Sequence, residues 1–177
     1  MLTMKKRIAV IYGGRSPEHD VSIVTSLQAM QALDRTKYDP FPVYIATNGR
    51  WFTGEALKDR DNYLPSRAVE QTLTEVTLDV RADTGRKKGV LLKKKKGLFG
   101  SNVAEEFDAA LFGFHGLMGE DGNTQGLFEL AGVPYTGMRT LASSVFMDKV
   151  ASKHYMQSLG IPCLPFAVLK RPDLGYL

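Results

Sequence analysis

Apolar residues in this chain fall into short unbroken runs separated by stretches with three- and four-residue spacing, the alternation expected of buried strands and amphipathic helices. The first run, residues 8–12, stops at Gly13-Gly14, as a buried parallel strand does on reaching the carboxyl edge of its sheet. Beyond it, Val21, Val24, Leu27, Ala29, Met30 and Leu33 predict a helix, and residues 41–45 predict a second strand reached by a right-handed crossover. Asn48-Gly49 predicts a turn into a short strand at Arg50-Trp51-Phe52.

From about 54 to 102 the periodicity weakens and charges multiply. Two β-type runs, 76–80 and 89–93, predict an insertion carrying a small hairpin. Order returns at 107–114, a buried strand ending at His115-Gly116, followed by a helix over 122–131 and a stop with a short strand over 132–137. Helices are predicted over 141–147 and 148–159. Asp148 caps the second, Gly160 and Pro162 stop it, and Ala151, Tyr155 and Leu159 form its apolar side. Residues 166–169 predict one more strand. The fold class is α/β: an open, Rossmann-like parallel sheet flanked by helices, spanning 1–140 with its insertion at about 54–102. The first elements of another domain follow over 141–177.

Composition agrees with a folded chain. At 177 residues, 44% hydrophobic and 24% charged, it exceeds one domain of about 100–150 residues and excludes collagen-like, disordered and coiled-coil classes. A single cysteine, Cys163, allows no internal disulfide and points to a reducing cytoplasm. No run approaches the roughly 20 apolar residues that span a bilayer, so no membrane partner is expected. The net charge of +4 is local: residues 86–96 hold seven basic side chains and no acid, and without them the balance is −3. Lysines around Gly89-Val-Leu-Leu92 suit an exposed strand edge better than a nucleic-acid surface, so no nucleic acid is expected.

Open α/β sheets bind ligands beyond the carboxyl ends of their strands, which directs attention to the loops after Tyr12 and Phe114. The first, Gly13-Gly-Arg-Ser-Pro-Glu-His-Asp20, lacks dinucleotide-fingerprint spacing, and Glu18 would repel a pyrophosphate. Its amides and helix N-terminus suit the carboxylate of a small zwitterion, and Glu18 suits its ammonium. The alternative is structural: Ser16 as helix cap, with Glu18 and Asp20 complementing the macrodipole. The second loop, His115-Gly-Leu-Met-Gly-Glu-Asp-Gly122, lets backbone approach a ligand. It places a histidine where Glu120 and Asp121 can orient it toward a carboxylate or a proton. Histidine spacing gives no metal site. Lys149 and Lys153, four residues apart, are either solvated or phosphate-holding.

Four segments taken in order resemble the D-alanine:D-alanine ligase family: Tyr-Gly-Gly-Arg-Ser-Pro-Glu-His-Asp-Val-Ser (12–22), His-Gly-Leu-Met-Gly-Glu-Asp-Gly-Asn-Thr-Gln-Gly (115–126), Pro-Tyr-Thr-Gly (134–137) and Met-Asp-Lys (147–149). The resemblance runs from about Lys6 to Leu169. It implies an ATP-grasp ligase using Mg2+, working as a cytoplasmic homodimer and making D-alanyl-D-alanine for peptidoglycan. ATP would phosphorylate the first D-alanine's carboxylate, and the second D-alanine's amine would attack the acylphosphate. By resemblance Glu18 holds the first ammonium, Val21 lines that subsite, His115 and Glu120 lie against the first substrate, and Lys149 reaches the ATP phosphates. Glu18 and His115 are thereby the expected catalytic pair, with no metal ligand in this segment. Met138-Arg139 departs from the family's usual serine and glycine. The family's serine loop, adenine pocket, Mg2+ ligands and oxyanion arginine come later than this segment, so residues 1–177 alone are expected to be inactive. The alternatives are a stand-alone binding or dimerisation module of the same fold, and a ligase taking D-lactate second.

Overall fold

The computed structural model describes residues 4–63, 72–81, 88–94 and 103–168. Among these, seven strands form one sheet: β1 (Lys6–Gly13), β2 (Tyr38–Ile45), β3 (Trp51–Thr53), β4 (Thr74–Leu78), β5 (Gly89–Lys93), β6 (Val103–Phe107) and β7 (Ala109–Phe112), in the order β6-β5-β4-β3-β2-β1-β7. β1 lies between β2 and β7 and is parallel to both. Flanked on both sides and covered on both faces, it buries its last six residues, which is why its sequence is an unbroken apolar run.

Helix α1 (His19–Ala32) makes the crossover from β1 to β2. Its Ile23, Leu27 and Met30 pack on Ile8, Val10 and Tyr12. The opposite face of β1, Ala9 and Ile11, joins Phe41, Val43 and Ile45 beneath Phe128 of α2 (Asn123–Leu130). Helices on both faces of three parallel strands are the α/β core expected from the sequence.

The other strands correct that expectation. β3 through β6 pair antiparallel, so the whole sheet is mixed. The insertion carries the expected hairpin, β4 paired antiparallel with β5, and this hairpin extends the central sheet from the free side of β3 rather than standing alone, where it would be marginally stable. β5 is an interior strand with β4 and β6 on either side, not a lysine-guarded edge. Lys94 reaches Glu75 at 3.0 Å, and Lys88 approaches Asp108 at 3.9 Å. Arg86, Lys87, Lys95 and Lys96 lie outside the described residues.

The predicted strand over 107–114 is broken at Asp108. Phe107 ends one outer strand of the sheet and Ala109 begins the other. Seven flat strands would hold their outer members roughly 29 Å apart, yet one intervening residue lets Phe107 and Ala109 separate by no more than about 7 Å. The sheet must therefore curl until its ends meet. Asp108 fastens them: its N–H donates to the Arg7 carbonyl at 2.8 Å, and its Oδ2 accepts from the Arg7 N–H at 2.7 Å. The Arg7 guanidinium pairs with Glu105 of β6 at 2.6 Å and lies 4.8 Å over the Phe41 ring. The fully buried Phe107 ring fills the curl. A Cβ at Gly89 would stand 2.2 Å from it, so no larger residue fits there without displacing the ring.

After α2, Tyr135 makes a single parallel bridge to Ala110, and α3 (Thr140–Met147) and α4 (Lys149–Ser158) follow. Asp148 Oδ1 caps α4, accepting from the Val150 and Ala151 N–H groups at 2.8 Å each. One oxygen, Glu129 Oε1, joins α2 to the start of α3 by accepting from the Tyr135 hydroxyl at 2.8 Å, the Thr140 N–H at 3.1 Å and Arg139 Nε at 3.3 Å. The expected apolar side of α4 is largely exposed: Tyr155 and Leu159 are 50% and 59% accessible. Residues 161–168 form no strand, and Leu169 lies outside the described residues. An extended segment becomes a strand only by pairing, and no neighbouring strand reaches this one among the described residues. No helix among the described residues is long and apolar enough to cross a membrane.

Asp108→Ala leaves the Arg7 N–H without its acceptor. It is expected to destabilise folding by about 1–3 kcal/mol in urea unfolding, with Asp108→Asn losing less because an acceptor oxygen remains. The hydroxyl of Tyr135, then the Thr140 amide and Arg139, hold the Glu129 carboxyl down at about 2 from its ordinary 4.5. Its contribution is complete above 4.5 and is lost as pH falls through about 2. Hydrogen exchange of the α3 amides should accelerate over that interval, and Glu129→Gln should abolish the pH dependence.

Candidate functional site

β1 and β7 are neighbours in parallel register, so the loops leaving their carboxyl ends emerge side by side. Ser16 ties them together. Its hydroxyl accepts from the Glu18 N–H at 3.1 Å and donates to the His115 carbonyl at 2.8 Å, bridging residues 99 apart in sequence. α1 begins at His19, and no side chain caps it. Ser16 is thus not the helix cap of the structural alternative but the bond between the two loops.

Gly116 is the centre of the arrangement. Its φ is +72°, and a Cβ there would lie 2.3 Å from Glu18 Oε2 and 2.9 Å from Ser16 Oγ. The Glu18 carboxylate therefore occupies space that only glycine leaves open. From the other side, Glu120 Oε2 accepts from the Gly116 N–H at 2.6 Å, and the Glu120 N–H donates back to the Gly116 carbonyl at 2.9 Å. Both carboxylate side chains are exposed, and they flank one residue of backbone.

His115 is half-buried beside them. Its Nε2 is 2.8 Å from Thr25 Oγ1 on α1, and this hydroxyl, rather than Glu120 or Asp121, orients the ring. Asp121 serves backbone instead, accepting from the Met118 N–H at 2.8 Å and the Asn123 N–H at 3.1 Å. The structure thus brings Glu18, His115 and Glu120 together. Val21 is exposed on the first turn of α1 behind Glu18, with 54% of its surface accessible. Lys149 stands apart, exposed as the first residue of α4, and its ammonium forms no hydrogen bond or ion pair among the described residues.

A second layer fixes the first loop. Ser22 Oγ accepts from the Gly13 N–H at 2.8 Å and donates to the His19 carbonyl at 2.7 Å. Buried His19 places Nδ1 2.8 Å from the Gly14 carbonyl and Nε2 3.0 Å from the Tyr44 hydroxyl. Because a carbonyl only accepts, Nδ1 carries the proton, and in the neutral ring Nε2 accepts from Tyr44. Tyr44 packs edge-on against Tyr63, whose hydroxyl meets that of Tyr12. Burial raises the Tyr12 and Tyr63 phenols well above their ordinary range, so both remain protonated.

The arrangement can hold a small cationic group against Glu18 and present His115 and backbone amides to a neighbouring anionic or carbonyl group. Lys149 alone makes no triphosphate site. Among the described residues no three His, Cys, Asp or Glu side chains are grouped to hold a metal ion, and these residues do not fit Mg2+.

Comparison with known proteins places this geometry in a family. Residues 7–138 match the family model described as D-ala D-ala ligase N-terminus. The chain is 40% identical over 174 residues to the D-alanine–D-alanine ligase of Streptomyces griseus subsp. griseus, covering 94% of this chain and 43% of that protein. Among solved structures it resembles the D-alanine–D-alanine ligase from Coxiella burnetii, with a TM-score of 0.76 and 28% identity over 96% of this chain and 46% of that one. The D-alanine–D-alanine ligase from Bacillus anthracis complexed with ATP gives a TM-score of 0.56 and 27% identity, over 97% of this chain and 42% of that one. The chain thus spans less than half the length of these relatives. On the matched model and the loops it contains, the chain belongs to the D-alanine–D-alanine ligase family, of which it carries the N-terminal region.

Proposed function

We propose that this chain supplies the first-substrate half of an ATP-dependent ligase that joins two D-alanines into D-alanyl-D-alanine, a peptidoglycan precursor. The Glu18 carboxylate beside Gly116 carries the proposal: two loops from adjacent strands converge to present an exposed acid, while the neighbouring Glu120 carboxylate accepts from the Gly116 N–H, and an exposed acid suits a small ammonium. Glu18 binds the ammonium of the first D-alanine, with Val21 beside it. His115, oriented by Thr25, and the amides around Gly116 and Glu120 lie against the substrate's carboxyl end.

When bound, ATP supplies the phosphoryl group that activates the first carboxylate; the second D-alanine's amine then forms the amide bond as phosphate leaves. The task of these loops is to hold the first substrate still, so that nucleophile and carbonyl meet in a productive geometry. Residues 1–140 act as the substrate domain. Residues 141–177 begin the ATP-binding domain, with Lys149 facing phosphate, and the exposed apolar surface of Tyr155, Leu159 and Leu164 supports such a continuation. Mg2+ is held by residues of that further domain, and the enzyme works in the cytoplasm as a homodimer.

In the ligase that contains this chain, Glu18→Gln removes the charge but keeps the shape. Losing a charge-assisted bond of roughly 1.5–3 kcal/mol should lower kcat/KM for the first D-alanine about 10- to 150-fold in steady-state kinetics; unchanged kinetics would return Glu18 to a helix-terminus role. Residues 1–177 alone should release no D-alanine-dependent phosphate from ATP, measured by a phosphate assay.

A further inference from the structure

A cleft opens beside the loop junction. It offers about 230 Å3, open to solvent on one side, and is walled by Ile45, Trp51, Phe114, Leu117 and Met118, with Arg15 at its mouth. None of the five residues assigned to D-alanine or ATP lines it. The walls come from the carboxyl ends of β2 and β7, from β3, and from both loops, so the cavity shares its backbone with the substrate loops without sharing their side chains.

Its chemistry is asymmetric. The interior is aromatic and aliphatic, and the ring of Trp51 is backed by Phe128 in a stacked pair 6.5 Å apart. At the rim, Arg15 Nη2 donates to the Asn48 carbonyl at 2.9 Å, and the guanidinium lies flat against Gly49, where a Cβ would stand 2.8 Å from Nη2. That bond engages one donor of the exposed guanidinium, and its remaining N–H groups make no hydrogen bond among the described residues. Leu117 and Met118 are about half exposed above the opening. Met118 holds φ +65°, kept there by bonds from its N–H to Asp121 and from Thr124 to its carbonyl. An ordinary side chain held in the left-handed region over an apolar cavity is a conformation the surrounding bonds maintain.

We propose that this cavity binds a small amphiphilic carboxylate, its apolar body against Trp51 and Phe114 and its carboxylate on Arg15. The volume falls below the usual range for drug-sized ligands, which restricts the occupant to about one ring or a short branched chain. The proposal stands apart from the ligase reading, since it uses neither D-alanine nor ATP, and either can fail without the other.

Trp51 is the sole tryptophan of the chain, so its emission reports the cavity directly. Residues 1–177 titrated with 3-phenylpropionate and excited at a wavelength selective for tryptophan should show a saturable change. The uncharged 3-phenylpropanol should bind about tenfold more weakly, and Arg15→Gln should erase that difference. Leu117→Glu, which sets an acid at the mouth on an exposed side chain, should abolish the carboxylate response, with circular dichroism confirming the fold. A linear, non-saturating response, or equal affinity for acid and alcohol in the unaltered chain, would overturn the proposal.

Discussion

A single residue, Asp108, separates the two outermost strands of a seven-stranded sheet, and the architecture follows from what that brevity demands. The chain cannot cross a flat sheet in one step, so the sheet curls and Arg7 and Asp108 close it through paired backbone and carboxylate bonds. Closure also sets register. With Asp108 fixed on Arg7, Ile8 must lie opposite Ala109, and each following residue of β7 is carried into place beside β1. A slip of one residue would turn Phe112 and Ala110 to the wrong faces.

That register operates at a distance. The clasp is at the amino ends of β1 and β7, whereas the proposed substrate loops leave their carboxyl ends, at Gly13 and Phe112. Parallel strands transmit alignment along their length as rigid elements, so Ser16 finds the His115 carbonyl and Glu18 finds the space above Gly116. Below them, the His19–Tyr44 contact and Ser22 hold the first loop by its own backbone. The loops belong to one unit because the strands beneath them do.

Much of this was legible in the sequence, and the divisions are physical. Buried parallel strands announce themselves as apolar runs, so β1, β2 and the carboxyl part of the 107–114 run could be read, as could α1, α2 and the Asp148 cap. The hairpin of residues 74–78 and 89–93 could be read too, but not its further partners: nothing in those residues states that β3 lies on one side of it and β6 on the other. The break at Asp108 was hidden because an acid between Phe107 and Ala109 reads as a polar position of one strand. At the candidate site, the glycine-rich loops point to Glu18, His115 and Glu120, and the structure brings these three near one another. Ser16 and Thr25 were misread or missed, because a hydroxyl beside a helix start looks like a cap until its partner 99 residues away is known. Lys149 rests on the motif alone: it is an exposed first residue of α4, and its setting neither supports nor opposes a phosphate role.

Gly116 has a consequence for how this sequence can change over time. Because a carboxylate oxygen lies 2.3 Å from where its Cβ would be, changes at positions 18 and 116 are coupled. A side chain at 116 requires the end of the Glu18 side chain to swing aside, and an altered residue 18 does not release 116, which still needs its positive φ. Change at 116 thus carries the backbone strain of a positive φ together with a shift of the acid, whereas change at 18 carries neither. The loop junction is therefore a point where the chain has little freedom to explore, though both residues belong to loops, the part of a protein that usually varies most.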